Sequence, residues 1–384
     1  MRHGLTTSVR QAGWKSVGIV VGAVSLLMPA VARADAFDDY RLVEEFVLPA
    51  GTEVFDVLAD GRIVALVGAD LHFEDAVGSR TFTLFGTLAD FDVSPFGAAF
   101  LRVSPDGTKL AVGNNGGASG GNFKVGVFNV ADLSGTWFAA GHFDAAWVGD
   151  SQLAITSGDF VNPSFVTVLD TTSPDPGSPV NPTVVDGIGG ASAGITFDSS
   201  GRLYTGNGFS TGGPSATGTV KAFDQASWTA ALTGGLAVDF EAEGTLLIEI
   251  LSASPLGFDA EGNLYAGGGG AGSDFAALVR GSAVASALGG GGPIDSEDGE
   301  AVRRFDPDTS NSSNFYGVHH NDVTGELYVR QFAASTVFVY AVVEPIPAIS
   351  DWGMIVMGLS VLVGGTAAFR PRRTVGAAVA PGTC

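Results

Sequence analysis

The stretch ITFDSSGRLYTGNG, Ile195–Gly208, contains the pattern from which the fold of this 384-residue chain is predicted. An apolar segment leads into Asp198, the turn Ser-Ser-Gly follows, and a second segment begins with Leu203 and Tyr204. Asp side chains hydrogen-bond the backbone of such turns, and Gly accepts the positive φ that they require. The stretch therefore predicts two antiparallel strands joined by a tight turn.

The same pattern occurs six times, with turn positions 44 to 63 residues apart. The copies are FDVLADGRIVAL from Phe55, LRVSPDGTKLAVG from Leu101, FDAAWVGDSQLAIT from Phe143, ITFDSSGRLYTGNG from Ile195, LGFDAEGNLYAGGG from Leu256 and VHHNDVTGELYVRQF from Val318. Their turn positions are Gly61, Gly107, Ser151, Gly201, Gly262 and Gly325. A third apolar segment follows in five of the units: Phe123–Val130, Phe165–Asp170, Thr219–Asp224, Ala301–Asp306 and Thr336–Val342. Units of this length stack because one unit cannot bury both of its faces alone.

Six units of three or four antiparallel strands predict an all-β fold, a six-bladed β-propeller over residues 35–343. The sixth unit runs out of chain after Val343, and Arg41–Pro49 precedes the first unit without an assigned partner. We therefore expect Arg41–Pro49 to close the ring as the outer strand of the last blade. A β-sandwich or β-solenoid is one alternative, and a seventh blade beginning at Gly244–Leu251 is another.

The fifth unit contains an insertion, Gly281–Ala301, which is predicted to be a surface loop between the second and third strands of its blade. Four acidic residues lie in it, but they lack the ordered spacing of a calcium-binding loop: Asp295, Glu297, Asp298 and Glu300. A bound Ca²⁺ ion is therefore the alternative to a plain solvated loop, and no other cofactor is predicted.

The charge of the chain excludes one class of partner. The full chain holds 19 basic and 40 acidic residues, and residues 35–343 hold 12 basic and 38 acidic ones. A body this acidic repels phosphate backbones, so nucleic-acid binding is not expected. Cys384 is the only cysteine, so no intramolecular disulfide can form and a packed core must stabilise the fold.

Motifs for catalysis are scarce, and no catalytic residue is predicted. The chain has no phosphate-binding loop and no His-Glu-x-x-His, and we expect no nucleophile elbow. His319 and His320 are adjacent, so on a strand their side chains point to opposite faces and are poorly placed to bind one metal together. We expect one of them to face the core and the other to face solvent.

The repeat FDSSGRLYTGNG resembles turns of the NHL-type binding propellers and of the gluconolactonase-like and strictosidine-synthase-like enzymes. The lactonase-like enzymes hold a divalent cation in the central channel with Glu, Asn and Asp side chains. Here Asp198 and Asp259 are expected to hydrogen-bond within the turns. The resemblance therefore implies the fold only, and a fold alone is weak evidence for a function.

Three functions remain open for the propeller body. The first is a binding propeller for a protein, glycan or matrix component, the second is a secreted metal-dependent hydrolase, and the third is a spacer without a ligand. Convergent carboxylates and an Asn in the channel would favour the enzyme, whereas small apolar residues would favour the binding module.

The N-terminus has the pattern of a secretory signal peptide over residues 1–34. Arg2, Arg10 and Lys15 are basic, and an apolar run precedes Ala32-Arg33-Ala34, the small-x-small pattern that signal peptidase cleaves. An uncleaved anchor is the alternative, although the run is short for a membrane span.

The C-terminus has the pattern of a membrane anchor. A linker, 344–351, precedes 18 uncharged residues, Trp352–Phe369, which as a helix would span roughly 27 Å. Arg370, Arg372 and Arg373 follow, and such a basic cluster is held on the cytoplasmic side. This predicts a transmembrane helix over 352–369 and a cytoplasmic tail over 370–384, with a buried C-terminal helix as the alternative.

The order of these parts resembles the IPTL-CTERM sorting signal, which is similar to the wider PEP-CTERM class. Ile346, Pro347, Ser350, Trp352 and Gly353 match its motif, whereas Ala348-Ile349 replaces the usual Thr-Leu. The resemblance covers residues 346–373 and implies an exported bacterial protein processed by a membrane exosortase. It implies a membrane-anchored precursor that is delivered to the cell envelope or the extracellular space.

Overall fold

The computed structural model describes residue 37 and residues 40–342, except 92–96, 115–122, 142, 158–163, 190–191, 208–217, 251–252, 269–274, 308–314 and 333. The chain divides into two compact units, residues 1–35 and 36–384. All described residues lie in the second unit, where they form six sheets in chain order, numbered here as blades 1 to 6.

Each blade begins with its innermost strand and runs outward. The first strand of the chain is β1 (Tyr40–Val47). Blade 1 contains β2 (Thr52–Val57), β3 (Ile63–Val67), β4 (Asp70–Glu74) and β5 (Phe82–Thr87). Blade 2 contains β6 (Ala98–Val103), β7 (Lys109–Asn114), β8 (Lys124–Asn129) and β9 (Gly135–Ala139). Blade 3 contains β10 (Asp144–Val148), β11 (Gln152–Ser157), β12 (Ser164–Asp170) and β13 (Thr183–Ile188).

The remaining blades follow the same plan. Blade 4 contains β14 (Ser192–Phe197), β15 (Leu203–Asn207), β16 (Val220–Phe223) and β18 (Thr245–Ile248), and the short β17 (Val238–Asp239) pairs in parallel with β13 of blade 3. Blade 5 contains β19 (Leu256–Phe258), β20 (Leu264–Ala266), β21 (Ala276–Val279) and β22 (Val302–Phe305). Blade 6 contains β23 (Gly317–Asn321), β24 (Glu326–Arg330) and β25 (Thr336–Val342).

The first strand of the chain completes the last blade. Strand β1 pairs antiparallel with β25, with Glu44 opposite Val339 and Phe46 opposite Val337. Innermost strands of neighbouring blades contact each other around the whole ring, including β23 with β2. The predicted closure is confirmed: the described residues form a closed six-bladed β-propeller.

Six hydrophobic clusters lie one in each interface between neighbouring blades. The cluster between blades 6 and 1 includes Phe46, Phe55, Tyr328 and Val339, all at most 6 % exposed. Each blade therefore buries both faces only because it has two neighbours.

The turns agree with the sequence pattern with one exception. Five of the predicted turn glycines have φ between +70° and +87°: Gly61, Gly107, Gly201, Gly262 and Gly325. In blade 3 the positive φ belongs to Gly149, at +64°, and not to the predicted Ser151. Glycine adopts this backbone conformation without the steric cost of a side chain, which explains why the turn shifts by two residues.

One alternative is excluded and one sequence expectation is wrong. Residues 244–251 start no seventh blade, because Thr245–Ile248 is the outer strand of blade 4. The insertion 281–301 lies between the third and fourth strands of blade 5, since Ala276–Val279 is the third strand.

The insertion is also more than a solvated loop. It begins with a helix, Gly281–Ser286, and a π-helical turn, Ala287–Gly291. Val284 and Ala287 are buried in the core between blades 4 and 5. The two other helices, Gln225–Leu232 and Phe240–Glu243, follow blade 4's third strand.

The predicted signal peptide, sorting motif and C-terminal span lie outside the described residues. Within the part of the chain that the structure describes, no helix has the length and apolar character needed to cross a membrane.

Candidate ligand site at the channel mouth

A cavity of about 380 Å³, called the channel mouth here, opens at the centre of the propeller. It lies on the face of the turns that join the first and second strands, since Ala59, Ser104 and Pro105 of those turns line it. All six innermost strands contribute to its wall: β2, β6, β10, β14, β19 and β23. A site in this position therefore exists only when the ring is closed.

The wall is mainly aromatic and small. Trp147, Phe197, Phe258 and Tyr265 line it together with alanine, valine, glycine and proline residues. Trp147 is nearly buried, and its Nε1–H donates to the carbonyl oxygen of Arg102 at 3.1 Å. Phe197 and Phe258 are half-buried and line the cavity, and their rings pack against those of Trp228 and Tyr204.

The charged groups of the channel mouth are arranged in pairs, of which the first joins blades 6 and 1. His319 Nδ1 lies 3.0 Å from Asp56 Oδ1. Asp56 also accepts hydrogen bonds from the backbone N–H of Val57 at 2.8 Å and of Val103 at 2.7 Å. Burial opposes ionisation of Asp56, but His319, Arg102 and the Val103 hydrogen bond outweigh it and hold the pKa of Asp56 below its ordinary value.

The second pair joins blades 2 and 3. Arg102 Nη2 forms an ion pair with Asp144 Oδ1, and Arg102 Nε donates to the carbonyl oxygen of Ala145 at 3.1 Å. Asp144 is 1 % exposed and also accepts from the N–H of Ala145 at 2.8 Å and of Ile195 at 3.4 Å. Burial raises the pKa of Asp144 above its ordinary value, although the charge of Arg102 acts in the opposite direction.

These contacts form a polar chain through blades 6, 1, 2, 3 and 4. Every carboxylate oxygen in it already accepts at least one hydrogen bond or lies in an ion pair. This polar chain of contacts therefore holds the inner strands in register. It leaves Asp56, His319 and Arg102 at the cavity as fixed polar groups.

We expect the substitution Arg102→Ala to lower the free energy of unfolding by about 2–3 kcal/mol at neutral pH, because it leaves the buried Asp144 carboxylate without its cation. Removing that positive charge raises the pKa of Asp144 further. The destabilisation is full above this folded-state pKa and decreases as pH falls through it, because the folded state then takes up the proton. The measurement is urea unfolding of wild type and variant between about pH 7 and pH 4. A stability difference that is constant over this range would contradict the assignment.

The two adjacent histidines point to opposite sides of β23, as predicted. His319 faces blade 1, where its ring packs against Phe55 with centroids 4.6 Å apart. The expectation that the other faces solvent is wrong, because the side chains of His319 and His320 are only 7 % and 3 % exposed. Both histidines are therefore enclosed between blades.

The acidic residues singled out from the sequence serve turns. Asp198 accepts from the N–H of Ser200 at 2.9 Å, and Asp259 accepts from the N–H of Asn263 at 2.7 Å. In the insertion, Asp295 accepts from the N–H of Glu297 at 2.9 Å in the same manner.

Three Gly-x-Ser-x-Gly matches occur in the sequence, at 117–121, 190–194 and 208–212, although no nucleophile elbow was expected. The first and the last lie outside the described residues. A nucleophile elbow requires the serine on a sharp turn between a strand and a helix. In the match at 190–194, Ser192 is the first residue of strand β14 and is followed by a strand, not by a helix.

Six sheets around a channel place the chain in the class of six-bladed β-propellers. No protein-family model matches the chain, and no curated protein matches it. The holo form of the pyranose dehydrogenase PQQ domain from Coprinopsis cinerea is similar in structure, with a TM-score of 0.53 and 12% identity over 79% of this chain and 97% of that one. The β-propeller domain of Cps50 (Swd1) from Myceliophteria thermophila has a TM-score of 0.48 and 11% identity over 79% of this chain and 100% of that one. At these identities the likeness to the dehydrogenase domain extends to the fold alone.

Proposed function

We propose that this chain is an exported β-propeller binding protein that holds a small ligand in the channel mouth. The observation that supports this function is the cavity of about 380 Å³, whose exposed lining is about equally polar and apolar and combines aromatic and small residues with paired charged groups. Small-molecule sites are typically cavities of about 300–1,000 Å³ with mainly apolar linings and a few oriented polar groups.

The lining favours a ligand with an apolar ring face and a hydroxyl-bearing edge, such as a mono- or disaccharide. Phe197 and Phe258 are the half-buried phenylalanines of the lining and can contact an apolar surface of the ligand. The side chains of Asp56 and Arg102, 16 % and 15 % exposed, offer an acceptor and a donor to hydroxyl groups.

A metal-dependent hydrolase is less well supported at this cavity. Such an enzyme needs carboxylates that are not already paired with a basic side chain, whereas Asp56 is paired with His319 and Asp144 with Arg102. We therefore favour binding over hydrolysis as the function of the channel mouth.

We expect the substitution Ala59→Trp to block the channel mouth without unfolding the protein, because Ala59 is exposed and lies at its rim. The full-length chain is screened by thermal shift against neutral mono- and disaccharides and their aromatic glycosides. A ligand of the site raises the melting temperature of wild type but not of Ala59→Trp. The matched control is Ala50→Trp, an equally exposed alanine in the turn between β1 and β2. Ligands that stabilise all three proteins alike, or a panel without any ligand, would contradict the proposal.

The proposed route of delivery rests on the two termini. Residues 1–34 direct export, and residues 346–373 act as a transient sorting anchor that an exosortase-type enzyme cleaves near 346–352. A plain anchor would need only the apolar run and the arginines, so the motif of Ile346, Pro347, Ser350, Trp352 and Gly353 supports recognition by a processing enzyme. Arg370, Arg372 and Arg373 stop further translocation of the chain, because moving each of them into hydrocarbon costs about 2.5–3.5 kcal/mol.

We expect Pro347→Ala or Trp352→Ala to leave the full-length precursor in the inner membrane, because the processing enzyme no longer recognises it. Cell fractionation followed by mass spectrometry of the mature chain, in a bacterium with an exosortase, is the measurement. Thr374→Ala, just beyond the arginines, is the control and should be processed normally. A mature wild-type chain that still carries residues 354–384 would show that the C-terminal segment is an ordinary membrane anchor and is not cleaved.

A further inference from the structure

A second cluster of polar side chains lies between blades 5 and 6, outside the channel mouth. Asp259 and Glu261 come from the turn between β19 and β20, and His320 comes from β23. One ligand atom from each of the three lies within 4.8 Å of the other two. No residue of this cluster takes part in the polar chain of the channel mouth.

A contact at Nδ1 orients His320 so that Nε2 can coordinate a metal ion. Its Nδ1 lies 2.7 Å from Asp322 Oδ1, so that carboxylate holds the proton on Nδ1 and leaves the Nε2 lone pair available. Metal-binding histidines are usually oriented by a carboxylate in this way. The side chain is 3 % exposed, and the polar partner of Nε2 is the Tyr40 hydroxyl at 3.5 Å, a contact too long for a strong hydrogen bond.

The two carboxylates also have free coordinating capacity. Asp259 accepts from the N–H of Asn263 at 2.7 Å on one oxygen and from Asn263 Nδ2 at 2.8 Å on the other. These bonds fix the carboxylate and leave a lone pair on each oxygen. Glu261 is exposed and makes no hydrogen bond or ion pair with the residues that the structure describes.

The cluster is rich in carboxyl groups, because Asp322 lies beside His320 in addition to Asp259 and Glu261. A site with three carboxylates around one enclosed imidazole attracts a divalent cation and has no basic residue among its members.

We propose that Asp259, Glu261 and His320 bind one divalent transition-metal ion, with Zn²⁺ as the preferred member of the class. One imidazole nitrogen and two carboxylate oxygens suit Zn²⁺, which takes His and Asp/Glu ligands in a tetrahedral set completed by water. The imidazole disfavours Ca²⁺ and Mg²⁺, which take oxygen ligands.

The ion would join two neighbouring blades beside the strand that closes the ring. Asp259 and Glu261 belong to blade 5, His320 belongs to blade 6, and Tyr40 is the first residue of β1. Because the three ligands are together only in the closed propeller, binding stabilises the folded state by mass action.

The test uses the full-length chain, stripped of metal with EDTA and titrated with ZnCl₂ in a calorimeter. We expect one site per chain and a melting temperature that rises with Zn²⁺ concentration. Glu261→Gln and Asp259→Asn should each weaken binding at least tenfold, and Asp322→Asn should weaken it about tenfold through His320.

The matched control is Glu249→Gln, the same chemical change at an exposed glutamate away from the cluster, and it should bind Zn²⁺ as wild type does. Glu261→Gln keeps the test valid if Asp259→Asn unfolds, because Glu261 is exposed. An absence of Zn²⁺ binding, or equal affinities for wild type and Glu261→Gln, would overturn the proposal.

Discussion

Deletion of residues 36–47 should abolish the cooperative thermal unfolding of the propeller. The deletion removes β1, which supplies the outer strand of blade 6, and leaves the hydrogen-bonding edge of β25 unpaired. It also removes the buried rings of Phe46 and Tyr40, each contributing about 1.5–3 kcal/mol of burial. The summed loss of burial free energy and strand pairing exceeds the low end of the roughly 5–15 kcal/mol that is typical for the free energy of unfolding of a domain.

The control adds a synthetic peptide of residues 36–50 to the truncated chain. Because the strand is held by pairing and packing, the peptide should bind in the vacant position and restore part of the cooperative transition. A truncated chain that melts at the wild-type temperature would show that ring closure does not depend on β1.

Arg80→Ala should have the second largest effect, with a loss of about 3–5 kcal/mol in the free energy of unfolding. Arg80, in the hairpin between β4 and β5, reaches across to blade 6. Its Nη2 lies 2.9 Å from Glu44 Oε2 of β1 and 3.2 Å from Glu326 Oε2 of β24. Its guanidinium also lies over the ring of Phe46, 4.7 Å from the centroid.

The size of this effect follows from what the substitution leaves behind. Glu74 is fully buried, with one carboxylate oxygen 3.6 Å from Arg80 Nη1. Its other partners are the N–H groups of Ile63 at 3.1 Å and of residue 80 itself at 2.9 Å. Without the guanidinium, the buried Glu74 side chain loses the cationic group that lies 3.6 Å from it.

Arg62→Ala is the matched control for Arg80→Ala. Arg62 pairs with Asp60 at 2.8 Å, but their side chains are 32 % and 53 % exposed, and such surface pairs contribute at most about 1 kcal/mol. Urea unfolding of both variants measures the difference. Equal losses for Arg62→Ala and Arg80→Ala would contradict the role assigned to Arg80 at the closure.

The repeat in the sequence was sufficient to predict the blades, because each copy carries its own strand pattern and turn chemistry. The closure by residues 41–49 was also predictable, since the sixth unit lacked an outer strand. The role of Arg80 was not, because its partners Glu44 and Glu326 are far from it in sequence and no local pattern connects them.

Part of the polar chain of the channel mouth can be recognised in the sequence when the six copies are aligned on their turns. Asp56, Arg102 and Asp144 each lie five residues before a glycine with positive φ, whereas the same offset in the sixth copy falls on His320 and not on His319. A position that holds charged or polar residues on otherwise apolar inner strands indicates a shared location at the channel. The pairing of Asp56 with His319 depends on ring closure, so it could not be derived from any single copy.

The most direct test of the account is the affinity of the best ligand from the saccharide screen for wild type, Ala59→Trp and Ala50→Trp, measured by titration calorimetry. We predict one site per chain, a loss of at least tenfold in affinity for Ala59→Trp, and no change for Ala50→Trp. Equal affinities for all three proteins would place the ligand elsewhere on the surface and contradict a binding function for the channel mouth.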